Sequence, residues 1–265
     1  MSGSSTAPLR DVDLARPYAS VEEVLGSLIV LEDLLVAAND KRAVFVTAYR
    51  TITLELQRRI VAGGFEDGAW VSRYLLAFAN LYRRALHAYE RPGAEAVPLP
   101  WQIAFDAAAH GPALLMQHLL LGINAHINHD LALGLLEVTI DPERDSRRRD
   151  HTAVNEALET ATDPVQERLA QLYTPALEIL DGVCGVLDER VTNFSFAKAR
   201  DCAWNAAVRL ADCRDDAART DCRRGLEQSS GVLARTLLAP NPFLRPAIAA
   251  LNVLERLSLR LGRHG

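Results

Sequence analysis

The chain has 265 residues, 24% of them charged, and a net charge of −5. That length can bury a substantial core as one large domain or two small ones, and the acidic balance offers no broad basic field to the phosphates of a nucleic acid. Nucleic-acid binding is therefore not expected. Aromatic residues are only 6% of the chain, Ala, Leu, Arg and Glu are abundant and β-branched runs are short, which is the composition of an all-α protein.

Residues 1–19 mix Ser, Gly and Pro with charge and show no periodicity, so a disordered leader is expected there, with one helical domain over 20–265. Ser20 is a natural N-cap ahead of Glu22 and Glu23, and Val21, Val24, Leu25, Leu28, Leu31 and Leu35 recur at helical spacing. A second helix is expected after Asn39 and Asp40, carrying Val44, Phe45, Ala48, Ile52, Leu56 and Ile60 up to the breaker Gly63-Gly64. A third begins near Asp67 and carries Trp70, Tyr74, Leu75, Phe78, Leu81, Tyr82 and Leu86. After the Pro-rich and Gly-rich loop 92–100, a short helix is expected from Trp101 to His110, and then a helix from Ala113 to Leu136 that is apolar nearly all round. A helix of that kind is enclosed by others. It is expected to be the buried centre of a fold of nine or ten helices.

Arg147, Arg148 and Arg149 read as a solvated helix start, followed by a short helix with Asp150, His151 and Asn155. Asp163-Pro164 predicts a new helix, with proline in its first turn, to about Arg190. Helices near 194–213, 216–238 and 243–262 complete the chain. Cys184, Cys202, Cys213 and Cys222 form no paired metal-binding spacing and read as reduced, small apolar residues of the C-terminal helices. The beginning of the chain lacks the features of an export signal and no apolar stretch is long enough to span a membrane, so a cytoplasmic protein without a membrane span is expected.

Five of the seven histidines fall between residues 110 and 151. They centre on an apolar run, Leu119 to Leu131, that also contains Asn124, His126, Asn128, His129 and Asp130. Polar groups on a buried helix cost about 1–3 kcal/mol each unless they find partners, so a metal, a ligand or a closed hydrogen-bond network is required. His126 and Asp130 are four apart and share a helical face. Imidazole and carboxylate can hold a divalent metal such as zinc, with Asp67, Asp106, His110, His118, His129, Asp150 or His151 to complete the set. Without a metal, the same pair suits acid–base chemistry. Arg50 can meet a buried carboxylate such as Asp130, Trp101 can line a pocket mouth, and Arg200 shares a helical face with Trp204.

Leu121-Gly122, His126 and Asp130 resemble the Tyr-Leu-Gly-x-x-x-His-x-x-x-Asp segment of zinc-dependent phospholipase C and related helical nucleases, over about ten residues. The further histidine expected six residues on is Leu136 here, and the processed N-terminal Trp that supplies another ligand in that family has no counterpart. His129-Asp130 also resembles the doublet of the metal-dependent HD phosphohydrolases, although Leu131, Ala132 and Leu133 replace the Gly and Lys that usually follow. A broader likeness, over roughly residues 40–210, rests on three segments: Trp101 with Ala104 and Phe105, Leu120 to Leu131, and Arg148 with Asp150, Val154 and Asn155. In these the chain resembles an uncharacterised family of all-helical proteins, a domain of unknown function common in actinobacteria. The resemblance implies the fold and favours His126 and Asp130, and it implies no activity.

The expectation from sequence is an enzyme acting on a small or lipid-like organic molecule, of the kind bacterial secondary metabolism uses. His126, Asp130, Asn124 and Asn128 would be catalytic, and Arg50, Trp101, His129 and Asp150 would bind substrate. The alternative is a non-catalytic helical carrier of a small molecule or a partner-binding scaffold. Oligomeric state is not legible.

Overall fold

The computed structural model of the chain describes residues 9, 12–91, 93, 95–111, 113–181 and 196–238, with residues 174–181 described by their backbone. Every regular element among them is helical. Ser20 caps α1 (Val21–Ala37) by accepting the Glu23 amide at 3.2 Å, and Glu22 and Glu23 complement the positive end of the helix. Its stripe Val24, Leu28, Leu31 and Leu35 is buried. Helix α2 (Ala43–Val61) ends at Gly63, whose φ of 72° is in the left-handed region that a side chain disfavours. Asp67 then caps α3 (Gly68–Glu90) by accepting the Trp70 amide at 2.8 Å.

Helix α4 (Leu99–His110) leads into a continuous helical rod made of α5 (Leu115–Ile123), a π-helical segment (Asn124–Asp130) and α6 (Leu131–Glu137). Side chains of the π segment are almost all buried, and α3, α4, α8 (Phe196–Ala211) and α9 (Asp216–Leu238) pack on it. Helix α7 (Arg144–Asp181) lies along α2.

Several expectations are corrected. Residues 12–19 are not a disordered leader: Leu14 is buried, its carbonyl accepts from Arg83, and Tyr18 and Asn80 exchange hydrogen bonds of 2.9 and 3.2 Å with α3. Bonds from side chain to backbone hold this stretch and need no periodic pattern. Asp163-Pro164 starts no new helix, because α7 runs through it and departs from helical geometry only at Tyr173. Thr160, Thr162, Asp163 and Pro164 are all exposed, so water can satisfy the Thr160 carbonyl that proline leaves without an amide donor. Arg147, Arg148 and Arg149 are not merely solvated. They pair with Asp67 at 2.5 Å, Asp201 at 2.9 Å and Glu66 at 2.6 Å, tying α7 to α8 and to the start of α3. Arg148, rather than the Arg200 that shares a helical face with Trp204, lies over that ring, at 5.5 Å from its centroid.

Cys202 and Cys222 are exposed rather than packed in a core. Cys184, the helix expected at 243–262 and the expected extension of a helix to Arg190 lie outside the described residues. Among the described residues no helix is long and apolar enough to cross a membrane.

Candidate functional site

A π-helix closes its hydrogen bonds over five residues instead of four, so each turn is wider and successive side chains lie closer in projection. In the segment Asn124–Asp130 this brings the imidazoles of both His126 and His129 onto the carboxylate of Asp130. His126 Nδ1 lies 3.3 Å from Oδ2 and His129 Nδ1 lies 2.8 Å from Oδ1. From α4, Trp101 Nε1 donates to Oδ2 at 2.8 Å. All four side chains are buried. Sequence reasoning selected all four, and the structure brings them together.

The protonation pattern follows from these contacts. Burial alone would raise the Asp130 pKa, but the hydrogen bonds from His126 and His129 outweigh it and hold the carboxyl below its usual range. Burial pushes His126 below the ordinary imidazole range, against the pull of Asp130. Near neutral pH the pair is thus a carboxylate beside a neutral imidazole. A carboxylate only accepts, so Nδ1 of His126 carries the proton. Its Nε2 keeps the lone pair, and that atom is buried with no hydrogen-bond partner among the described residues.

Aromatic rings from α2 and α3 set the position of this imidazole. Phe78 stacks on it at a centroid distance of 3.4 Å and an interplanar angle of 9°, while Tyr49 meets it edge-on at 4.6 Å. Phe45 lies at 5.6 Å and owes its place to Gly122, since a Cβ there would come within 2.5 Å of the Phe45 ring. His126 forms part of the wall of a cavity of about 60 Å³ that is otherwise mostly apolar. Phe45, Tyr49, Phe78, Ile127 and Val154 line it, Phe196 stands where it reaches the surface, and Arg200 supplies its cationic group.

The other expected site residues belong elsewhere. Asn124 donates to the Ser230 carbonyl at 2.9 Å and accepts from Asn128 at 3.0 Å, and Ser230 donates to the Asn128 carbonyl at 2.9 Å. Those two asparagines bolt the π segment to α9 and do not line the cavity. Arg50 pairs with Glu32, not with Asp130. Glu32 is buried and also binds Thr47 and Arg168, which makes it the charged junction of α1, α2 and α7. Asp150 accepts the amides of Glu66 and Asp67 at 2.7 and 2.9 Å, so it fixes the turn before α3 rather than binding a substrate.

The donor set does not fit a metal ion. Among the described residues no group of three or more His, Cys, Asp or Glu side chains is arranged to hold one. Both oxygens of Asp130 face N–H donors, and His126 turns Nδ1 toward them, so its bare Nε2 points away from the carboxylate and the two cannot ligate one ion. Of the side chains expected to complete a zinc site, Asp67 pairs with Arg147, Asp106 accepts from Tyr89 and Gln102, and His110 is exposed. His118 lines a different, smaller cavity beside Arg42, and His151 binds Tyr74 and Arg200.

Phe45 and Phe78 read in the sequence as part of the apolar helical pattern, and only the arrival of His126 beside them gives them a further part. In the sequence Arg200 is legible only as sharing a helical face with Trp204. No curated protein and no solved structure matches the chain. A family model matches residues 21–240, and on that match the chain belongs to DUF5995, a family of unknown function.

Proposed function

We propose that this chain is an enzyme that moves a proton on a small, largely apolar organic molecule, with His126 as the general base and Asp130 as the residue that fixes its tautomer. The reading treats the described helices as one domain built around the rod 115–137. One observation carries it: a neutral imidazole in the wall of an apolar cavity, anchored through Nδ1 to a buried carboxylate, with an Nε2 that has no partner among the described residues. A base held in this way is oriented before substrate arrives, and low polarity around it strengthens its interaction with a developing charge. His129 and Trp101 support it indirectly by keeping Asp130 ionised and immobile. Isomerisation, cyclisation and elimination are reactions of this type. The donor set around Asp130 does not favour metal-assisted hydrolysis.

A second reading, a non-catalytic carrier, is favoured by the face-to-face cover that Phe78 places on the imidazole. The test is to incubate purified wild-type protein and His126→Asn with a bacterial metabolite extract and follow the extract by mass spectrometry. Asn keeps an amide N–H near the position of Nδ1 and removes the base. An enzyme consumes a metabolite in molar excess over protein, and the variant does not. Retention of a metabolite at no more than one per protein, without turnover, would replace the enzyme by the carrier.

A further inference from the structure

Arg200 is only 4% exposed, yet no carboxylate lies within ion-pair distance of it among the described residues. Its partners are neutral: Nε donates to Asn155 Oδ1 at 2.8 Å, and Nη2 donates to the His151 carbonyl at 2.6 Å and approaches His151 Nδ1 at 3.3 Å. His151 cannot supply a negative charge, and burial together with the Arg200 charge keeps it neutral, well below the ordinary imidazole range. Its Nε2 donates to the Arg200 carbonyl at 3.1 Å, which leaves Nδ1 as an acceptor for the Tyr74 hydroxyl at 3.2 Å. None of these bonds uses Nη1, and the Tyr74 hydroxyl is a further neutral neighbour of the guanidinium. A buried cation without a counter-ion is costly, and proteins ordinarily pair it. Here it lines the same cavity as His126.

We infer that Arg200 is the anion anchor of this cavity and that the ligand is an organic carboxylate, its charged group on the guanidinium and its apolar body along Tyr74 and Phe78 toward His126. A single cation matches a monoanion better than a phosphate dianion, and Arg presents fixed N–H donors to a carboxylate. The cavity volume of about 60 Å³, at roughly 10–15 Å³ for each water-sized centre, encloses about four to six non-hydrogen atoms. The opening beside Phe196 lets a longer ligand extend outward. A short acid such as butanoate fits inside, and the longer body of hexanoate or benzoate extends into the opening. This assignment names the ligand class for the site that the acid–base reading uses, and rests on that reading only for the direction in which the ligand lies.

The test compares hexanoate with hexan-1-ol, and benzoate with benzyl alcohol, by calorimetry and thermal shift on the full chain at constant sodium chloride. The expected result is at least tenfold tighter binding of each acid than of its alcohol, with a matching rise in melting temperature. Arg200→Gln removes that preference and Arg200→Lys keeps most of it. Equal binding of acid and alcohol to the wild type, or no binding of either, overturns the inference without recourse to any variant. His126→Asn keeps the preference for acids. If acids bind through Arg200 while the metabolite experiment shows no His126-dependent turnover, the anchor stands and the acid–base reading falls.

Discussion

Replacing Asp130 by Asn changes the charge at the centre of the site with little change of shape. The carboxylate accepts from Trp101 and His129 at 2.8 Å each and from His126 at 3.3 Å. Indole N–H can only donate, so the Asn oxygen must take the Oδ2 position facing Trp101 and His126. The new NH₂ then faces His129, whose Nδ1 must give up its proton and accept. A hydrogen bond to a charged partner contributes about 1 kcal/mol more than a neutral one, so three such bonds made neutral cost about 3 kcal/mol in total. The direction of the Asp130 shift agrees with that sign, because a carboxyl held below its usual range is one whose charged form the fold prefers. Urea unfolding of wild type and Asp130→Asn at pH 7 measures the difference as a lower midpoint at constant slope. A group with a depressed pKa stabilises the fold at pH above its unfolded value of about 3.9 and loses that effect as pH falls through its folded value. The gap between the two proteins should accordingly hold from pH 7 to 5 and close only at more acid pH. An Asn variant as stable as the wild type at pH 7 would refute the picture of an ionised, triply bonded carboxylate.

Burial, helped by the nearby Lys41 charge, lowers the His118 pKa to about 4. The unfolded chain protonates this ring first, so its stabilisation is complete above about pH 6.5 and is lost as pH falls toward 4. Between pH 7 and 5 that single site costs about 2 kcal/mol. His126 and His151 are shifted in the same direction and add to it, so urea midpoints that stay flat over this range would contradict the assignment of three neutral buried histidines. Gly122→Ala should lower stability by about 1–3 kcal/mol through overpacking against Phe45, and an unchanged melting temperature would show that the ring has room to move. Cys213 and Cys222 have sulfurs 3.7 Å apart where α8 meets α9, so treatment with oxidised glutathione should join them with loss of two free thiols. A thiol titration unaffected by the oxidant would contradict that placement.

The helices were legible because their ends are marked chemically. Ser20, Asp67 and Gly63 act at the boundaries where their side chains, or the lack of one, predict. Pro164 misled because a proline on an exposed helical face leaves a carbonyl that water can reach. At the site, the spacing of His126 and Asp130 was enough to place them together, since four residues along a helix return to one face. The π turn that adds His129 depends on packing from four other helices and has no local signature. Asn124 and Asn128 occupy the same run of sequence but face α9, a direction that depends on which helix lies on each side of the rod. Arg50 met the carboxylate of Glu32 on α1, and Arg200 met none among the described residues, for the same reason: pairing between helices is decided by tertiary neighbours.

The central claim concerns the state of one ring, and long-range ¹H–¹⁵N correlation spectra of the histidine side chains, with His126 assigned by comparison with His126→Asn, test it directly. The expected spectrum is that of a neutral imidazole at pH 7 with its proton on Nδ1 and a bare Nε2. A spectrum showing the proton on Nε2, or an imidazolium at pH 7, would contradict it.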